Sequence, residues 1–204
     1  MINDIYVFDD IIEKPYQELI KETLMGGDKP PTVDEVEELF PWYYTSDITD
    51  NSHDGPFQGR FGFGHNYVTS EEGVISNFHN LFVGLIKNSC KKLKIKKVDV
   101  LQGRSFLQLP TNIKREDVDS PHTDMQFKHF VMLYYVCDSD GDTIIYNEKI
   151  ISEKGFTVQK KITPKQGRVV LFDGSLYHTA QQPNHNLRCV VNYDLRDLSV
   201  DLHI

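Results

Sequence analysis

The sequence contains little cysteine and no paired-cysteine motif. Its 204 residues include only Cys90, Cys137 and Cys189, an odd number at wide spacings with no CxxC pair. A disulfide framework needs an even set of cysteines and a zinc ribbon needs closely spaced pairs, so the sequence indicates neither. Free thiols are typical of a reducing compartment, and we predict a cytoplasmic protein.

Long hydrophobic runs and an excess of positive charge are also missing. No apolar run approaches the roughly 20 residues that a membrane helix needs, and the acidic start MINDIYVFDD lacks the apolar segment of a signal peptide. The formal net charge of -8 disfavours nucleic acid as a partner, because neutralising phosphates requires clustered lysine and arginine. The basic run KKLKIKK at 91–97 is interpreted as the solvated end of a helix, with a binding patch as the alternative.

The first half of the chain predicts a mixture of short elements. The apolar run 5–12 favours a strand, and segment 15–27 favours a helix bounded by proline and glycine. Apolar residues recur at helical spacing from 70 to about 93, with Ser70 as the expected cap, which predicts one long amphipathic helix. The aromatic residues of 40–44 are interpreted as core, with a cleft lining as the alternative.

After residue 95 the pattern changes to short strands. Seven segments are each bounded by glycine, proline, asparagine or aspartate: VDVLQGRSFLQL, HFVMLYYVC, DTIIYNE, GFTVQKKITP, RVVLFDG, LYHTAQQ and LRCVVNYDL. Strands at such close intervals indicate a sandwich or a double-sheet jelly roll. The acidic DSDGDT at 138–143 is interpreted as a hairpin turn. We predict a mostly β protein with flanking helices, in which a strand and helical region, 1–95, packs on a β core, 96–204, as one integrated domain.

The segment SPHTDM carries a histidine and an aspartate two positions apart. Residues i and i+2 of a strand point to the same face, so His122 and Asp124 can aim an imidazole and a carboxylate at one point. Two histidines and one carboxylate with open positions are typical of non-haem Fe(II) oxygenases. We favour His178 as the third ligand because it directly follows the apolar strand RVVLF. The candidates downstream of the pair are His129, His178, His185 and His203.

An arginine follows the third histidine at the head of the next strand. Arg188 lies ten positions after His178 (188 − 178), from where it can reach into the same cavity. Its planar guanidinium matches a carboxylate with two parallel hydrogen bonds. The three candidate ligands and Arg188 together favour a metal that is chelated by one end of a small diacid.

Residues 98 to 195 resemble the double-stranded β-helix core of the Fe(II)/2-oxoglutarate-dependent dioxygenases, in their prolyl 4-hydroxylase-like branch. The matching pieces HTD, VMLYYVCDSDGDT, ITPKQGRVVLFDGSLYHTAQQP and LRCVVNYDL occur in the same order. The resemblance implies that Fe(II) is held by His122, Asp124 and His178. It also implies that 2-oxoglutarate is the cosubstrate, that ascorbate is a candidate reductant, and that the distal carboxylate meets Arg188, Tyr135 and Thr143.

Two features differ from that family pattern. A tyrosine common on the strand before H-x-D is replaced here, with Phe106 as the nearest match, and the loop 110–120 is long. Gln102, Arg104 and Gln108 alternate along one face of this strand. They either supply polar contacts inside the cavity or face solvent.

The resemblance implies an oxygenase that uses O2 and 2-oxoglutarate to hydroxylate a C–H bond. The expected substrate is a prolyl or other residue of a peptide or protein, or a small molecule; neither a membrane nor nucleic acid is expected. A non-catalytic jelly-roll binding or structural module is the alternative, and a cupin-like enzyme with another metal is a weaker one. The complete ligand set with Arg188 favours the oxygenase, because a binding module has no need to hold these residues together.

Overall fold

The computed structural model describes residues 2, 4–26, 39–46, 48, 61–111, 118–151 and 155–199. His203 and most of the loop 110–120 lie outside these ranges. The helices are α1 (Lys14–Met25), a 3-10 helix (Asn77–Phe82) and α2 (Val83–Lys92). The strands are β1 (Tyr6–Phe8), β2 (Tyr43–Thr45), β3 (Gly62–Thr69), β4 (Gly73–Val74), β5 (Val98–Gln108), β6 (Phe130–Tyr135), β7 (Thr143–Tyr146), β8 (Val158–Ile162), β9 (Val169–Asp173), β10 (His178–Ala180) and β11 (Arg188–Asp197). Within these segments, no helix combines the length and hydropathy that crossing a bilayer requires.

The strands form two antiparallel sheets. The major sheet has the order β1-β9-β6-β11-β5-β3-β2, with β4 beside β3, and the minor sheet has the order β10-β7-β8. The bridges Val118–Gln181 and His122–His178 add the segment before β6 to the minor sheet. From β5 onward the chain alternates between the sheets, with the hairpin β7–β8 counting as one step. This alternation is the double-stranded β-helix, or jelly roll, and it confirms the predicted fold class.

All seven predicted strands are present, as β5 to β11. The prediction for DSDGDT is wrong, because this segment joins β6 to β7 and these strands belong to different sheets. It is a crossover rather than a hairpin turn. The Asp140 carboxylate accepts hydrogen bonds from the backbone N–H groups of Asn184, His185 and Asn186, which ties the crossover to the turn before β11.

Strand β6 separates two apolar layers. Its odd-numbered residues, such as Leu133 and Tyr135, pack with the residues that lie between the two sheets. Its even-numbered residues, such as Met132 and Tyr134, pack with the apolar sides of α1 and α2. Every residue of β6 is buried, which explains why a strand of an antiparallel sheet has a continuous apolar sequence instead of an alternating one.

The two predicted helices had different outcomes. Helix α1 agrees with the prediction, with proline in its first turn and Gly26 at its C-terminus with φ 75°. The helix predicted for 70–93 is wrong in its first part, because Thr69 to Val74 turns from β3 into β4 with Gly73 at φ 74°. Ser76 caps the later helical segment instead, accepting a hydrogen bond from the Phe78 N–H at 3.4 Å. The lysines that follow in 91–97 are exposed, as the interpretation of a solvated helix end required.

The aromatic residues of 40–44 divide between core and surface. Phe40 is buried, and Trp42 donates its indole N–H to the Leu24 carbonyl oxygen at 2.8 Å. Tyr43 and Tyr44 are 64% and 65% exposed on the short strand β2. The core interpretation is therefore wrong for these two tyrosines, because β2 lies at the end of the major sheet, where each ring has an open side.

The centre of β5 depends on a glycine. A Cβ atom at Gly103 would lie 2.2 Å from Tyr193 Cε1, and Tyr193 is fully buried, so its ring has no space to withdraw. We expect Gly103→Ala to lower the free energy of unfolding by about 1–3 kcal/mol, measured by urea denaturation. Gly64→Ala is the matched control on β3, because its Cβ would lie at an ordinary contact distance of 3.7 Å from the Phe106 ring and the Ser105 carbonyl oxygen. Equal losses in the two variants would contradict the expectation.

Candidate metal and cosubstrate site

Backbone pairing brings the two histidines of the predicted site together. The N–H of His122 donates to the carbonyl oxygen of His178 at 3.0 Å, and the reciprocal bond measures 2.9 Å. Paired residues of an antiparallel ladder project to the same side, and the two imidazole centroids lie 4.7 Å apart. Asp124 follows two positions later with its carboxyl group on this side.

Hydrogen bonds fix which nitrogen each imidazole presents. The Nδ1 atom of His122 lies 3.0 Å from the Ser120 carbonyl oxygen, and that of His178 lies 3.2 Å from the Leu176 carbonyl oxygen. Because a carbonyl only accepts, each Nδ1 carries the proton and each Nε2 presents a lone pair. Such backbone contacts orient histidines that bind metals through the other nitrogen.

The two Nε2 atoms and the Asp124 carboxylate converge. Asp124 Oδ2 lies 3.4 Å from His178 Nε2, and Oδ1 lies 3.8 Å from His122 Nε2. The three donor atoms lie within 4.8 Å of one another. Two imidazole nitrogens and one carboxylate oxygen are the donor set of a facial triad for Fe(II), so these residues fit that ion.

The charges around this group favour the forms that bind a metal. Burial opposes ionisation of Asp124, but the Arg104 guanidinium and His178 outweigh it and hold the pKa of that carboxyl well below its usual range. Burial, together with the neighbouring His178, lowers the pKa of His122 to about 4. The aspartate is therefore ionised and His122 neutral near pH 7, as metal binding requires.

A further buried carboxyl group, Asp194, borders the site and was not recognised in the sequence. The Arg104 guanidinium contacts Asp124 Oδ1 and lies 3.8 Å from Asp194 Oδ2, while His129 Nε2 lies 3.7 Å from Asp194 Oδ1. Burial and the Asp124 charge raise the pKa of Asp194 well above its usual range, which favours the neutral form of this acid. Asp124, His129 and Asp194 form a second group of potential ligand atoms, but the Arg104 guanidinium already balances its charge.

A cavity of about 430 Å³ extends from the three candidate ligands. Its floor is built by β5 and β11, whose residues Arg188–Gln108, Val190–Phe106 and Asn192–Arg104 are paired and line it. The polar pairs stand at the two ends and the apolar pair stands between them. The cavity interpretation is thus correct for Arg104 and Gln108, whereas Gln102 is not among the residues that line this cavity.

Arg188 is anchored at the end of the cavity away from the histidines. Its Nε donates to the Gly141 carbonyl oxygen at 3.1 Å, one terminal nitrogen to Gln108 Oε1 at 2.8 Å, and the other to Thr143 Oγ1 at 2.9 Å. The Tyr135 hydroxyl also donates to Thr143 Oγ1, at 2.8 Å. Within the described part of the chain, these bonds use three of the five N–H groups of the guanidinium, which leaves one on each terminal nitrogen for a ligand.

The structure thus brings together all six residues that the resemblance marked. His122, Asp124 and His178 converge at one end of the cavity, and Arg188 and Thr143 line the other. Tyr135 is hydrogen-bonded to Thr143 but is not among the residues that line the cavity. Of the other histidines considered, His185 is exposed and His129 contacts Asp194. Asn192 and Asp194 lie an even number of positions after Arg188 in the strand LRCVVNYDL, so all three point to the same face. Polar residues at these positions of an otherwise apolar strand could have been recognised from the sequence.

Comparison with known proteins supports the fold and nothing finer. No protein-family model matches the sequence, and no curated protein matches it. Among solved structures, the viral collagen prolyl hydroxylase of Paramecium bursaria Chlorella virus-1 in complex with 2-oxoglutarate is 11% identical, with a TM-score of 0.54 and 95% of this chain and 96% of that chain covered.

Two further solved structures are similar. A prolyl hydroxylase from Trichoplax adhaerens, in complex with a peptide of the hypoxia inducible factor oxygen degradation domain, is 11% identical, with a TM-score of 0.60 and coverage of 97% and 85%. The α-ketoglutarate-dependent carbocyclase SnoK from nogalamycin biosynthesis is 10% identical, with a TM-score of 0.62 and coverage of 95% and 79%. The chain therefore has the fold of the 2-oxoglutarate and Fe(II)-dependent oxygenases, as predicted.

Proposed function

We propose that this protein is an Fe(II)- and 2-oxoglutarate-dependent dioxygenase that hydroxylates a C–H bond. One observation carries the proposal: a facial set of three metal donors and an anchored guanidinium occupy opposite ends of the same cavity. A non-catalytic jelly-roll module would have no use for this combination. Buried charges without a ligand are costly, so a binding module would not be expected to keep them.

Each group has a role in this proposal. Fe(II), held by His122, Asp124 and His178, would supply the activation of O2 that oxidises 2-oxoglutarate to succinate and CO2. Arg188 would bind the distal carboxylate through its two remaining N–H groups, while Thr143 and Tyr135 hold the guanidinium in place. The protein's own contribution is to orient the cosubstrate and to exclude water from the cavity.

The apolar middle of the cavity suits the carbon chain of a short diacid. Val190 and Phe106 form the floor between the two polar ends, and Leu133 also lines the cavity. Arg188 and Asn192 are four residues apart on β11, roughly 13 Å at strand geometry. A diacid that reaches Arg188 therefore extends toward the histidines without passing a charged side chain on this floor.

The substrate is proposed to be a residue of a peptide or protein, with proline as the first candidate. The similar viral and Trichoplax structures are prolyl hydroxylases, which supports this choice. The similar carbocyclase from nogalamycin biosynthesis supports a small molecule as the second candidate. Comparing proline-containing peptides with a panel of small molecules, by succinate release, separates the two.

The domain boundary and the compartment are also proposals. We propose that 1–95 and 96–204 fold as one unit, which is supported by the contacts of α1 and α2 with the apolar residues of β6 and β11. The cysteines of the described chain, Cys90, Cys137 and Cys189, are free and buried. This supports a reducing compartment such as the cytoplasm.

The central experiment measures 2-oxoglutarate binding with and without Fe(II) under anaerobic conditions. We expect Fe(II)-dependent binding with a dissociation constant of the same order as typical KM values, about 1 μM to 1 mM, and release of succinate once air and a substrate are supplied. Isothermal titration calorimetry and succinate quantification provide the readouts. Binding of 2-oxoglutarate that does not depend on Fe(II), or no binding of 2-oxoglutarate at all, would contradict the oxygenase proposal.

A further inference from the structure

A buried carboxylate lies in the same cavity as Arg188. Asp119 is 2% exposed and lines this cavity. Its backbone is fixed on β10, because its N–H donates to the Ala180 carbonyl oxygen at 2.9 Å and its own carbonyl oxygen accepts from the Thr179 hydroxyl at 2.5 Å. A negative charge at this place is unexpected in a cavity that is proposed to bind a dianion.

Two glutamine side chains hold the Asp119 carboxylate and connect it to Arg188. Gln182 Nε2 donates to both carboxylate oxygens, at 2.9 and 3.1 Å. Gln108 Nε2 lies 3.5 Å from Asp119 Oδ2, and its Oε1 accepts from the Arg188 guanidinium at 2.8 Å. A single amide group therefore stands between the two charges, which places the facing atoms of Asp119 and Arg188 within about 9 Å of each other.

This separation is short enough for the charges to influence each other and any ligand between them. Burial lowers the pKa of Arg188, while Tyr135 and Asp119 oppose this change. Both side chains are almost fully buried, so salt screens their interaction only weakly. A ligand carboxylate that binds Arg188 is attracted by the guanidinium and repelled by the Asp119 carboxylate. A ligand without a distal charge experiences neither effect.

We propose that Asp119 is a positioning residue that determines how strongly the site prefers 2-oxo acids with a distal carboxylate over those without one. It keeps the Gln108 carbonyl directed at Arg188 and, at the same time, offsets part of the positive charge that a diacid would meet. The inference rests on the proposed function and adds regulation to it, because weaker binding makes turnover respond to the concentration of 2-oxoglutarate. Arg188 supplies the attraction, and Asp119 limits it.

The test compares two 2-oxo acids on the Mn(II)-loaded full-length protein by calorimetry. 2-Oxoglutarate has a distal carboxylate and 2-oxobutanoate has none. We expect Asp119→Asn to lower the dissociation constant of 2-oxoglutarate at least about fivefold, as removal of a like charge at this distance requires, and to change that of 2-oxobutanoate less than about twofold. Asp119→Glu retains the charge and should retain the weaker binding of 2-oxoglutarate.

Exposed Asp99 provides the matched control, because Asp99→Asn changes the net charge by the same amount outside the cavity, where the carboxylate pairs with Arg196 at 2.5 Å. An unchanged or higher dissociation constant for 2-oxoglutarate in Asp119→Asn would overturn the inference. Equal weakening of both acids, with a lower melting temperature, would also overturn it and assign Asp119 a purely structural role. If the wild-type protein binds neither acid, the proposed function itself fails. If the wild-type protein binds 2-oxoglutarate and Asp119→Asn binds it equally well, only the inference about Asp119 fails.

Discussion

Replacing His178 with alanine is expected to abolish Fe(II)-dependent 2-oxoglutarate turnover and to weaken metal binding more than about 100-fold. Loss of a residue that merely orients a metal ligand typically costs 10–100-fold in affinity, and His178 is proposed as a ligand itself. The backbone pairing of His178 with His122 uses only N–H and carbonyl groups, so alanine can keep the strand in place. The effect should therefore appear in metal affinity rather than in folding.

The readouts for this variant are a Mn(II) titration and the rate of succinate formation. His185→Ala is the matched control, because His185 is exposed and uses its backbone N–H, not its ring, to bind Asp140. We expect the control to behave as the wild type does. Normal metal affinity in His178→Ala, with an unchanged melting temperature, would remove His178 from the ligand set.

Replacing Arg188 with methionine is expected to raise the dissociation constant of 2-oxoglutarate by at least about 30-fold while metal affinity changes little. Truncating one partner of a buried, hydrogen-bonded charge pair costs about 2–5 kcal/mol, and Arg188 is buried, with 5% of its surface exposed. The metal donors stand at the other end of the cavity, so they keep their geometry. The expected result for this variant is therefore weaker 2-oxoglutarate binding with unchanged metal affinity.

Arg196→Met is the matched control on the same strand. Arg196 is largely exposed and pairs with Asp99 at 2.5 Å, and surface pairs of this kind contribute little to stability. Because Arg188→Met also leaves Asp119 and Thr143 without their cationic neighbour, the melting temperature must be measured alongside. Arg188→Lys keeps the charge and should bind 2-oxoglutarate more strongly than Arg188→Met. Equal affinity of Arg188→Met and wild type would refute the proposed role of the guanidinium.

The strands could be predicted because local sequence determines them, whereas their partners depend on distant residues. The run VMLYYV predicted a strand, and it is apolar on both sides because two different cores cover it. DSDGDT has the composition of a hairpin turn, but the sheet that β7 joins is determined by β8 and β10. Helical spacing after residue 70 was misleading, because Gly73 at φ 74° turns the chain before the helix begins.

The site was partly predictable for a similar reason. His122, Asp124, His178 and Arg188 lie in recognisable sequence patterns, so their convergence could be expected. Asp119 has no such pattern, and only the pairing of its segment with β10 brings it into the cavity. The contact of Arg104 with Asp124 likewise joins a strand of the major sheet to the segment that pairs with the minor sheet. No local spacing in the sequence encodes such a contact.

The division of the site between two sheets has a mechanical consequence. The histidine pair belongs to the minor sheet and Arg188 to the major sheet, so the gap between these walls measures the length of any molecule that touches both. Arg188 already reaches the minor sheet through its hydrogen bond to Thr143 Oγ1. A metal ion alone would connect only groups of the minor sheet, while a diacid chelated to that metal would add a second link between the two sheets. Since ligands that bind only the native state stabilise it by mass action, the melting temperature becomes a gauge of which 2-oxo acids have the length to bridge the gap.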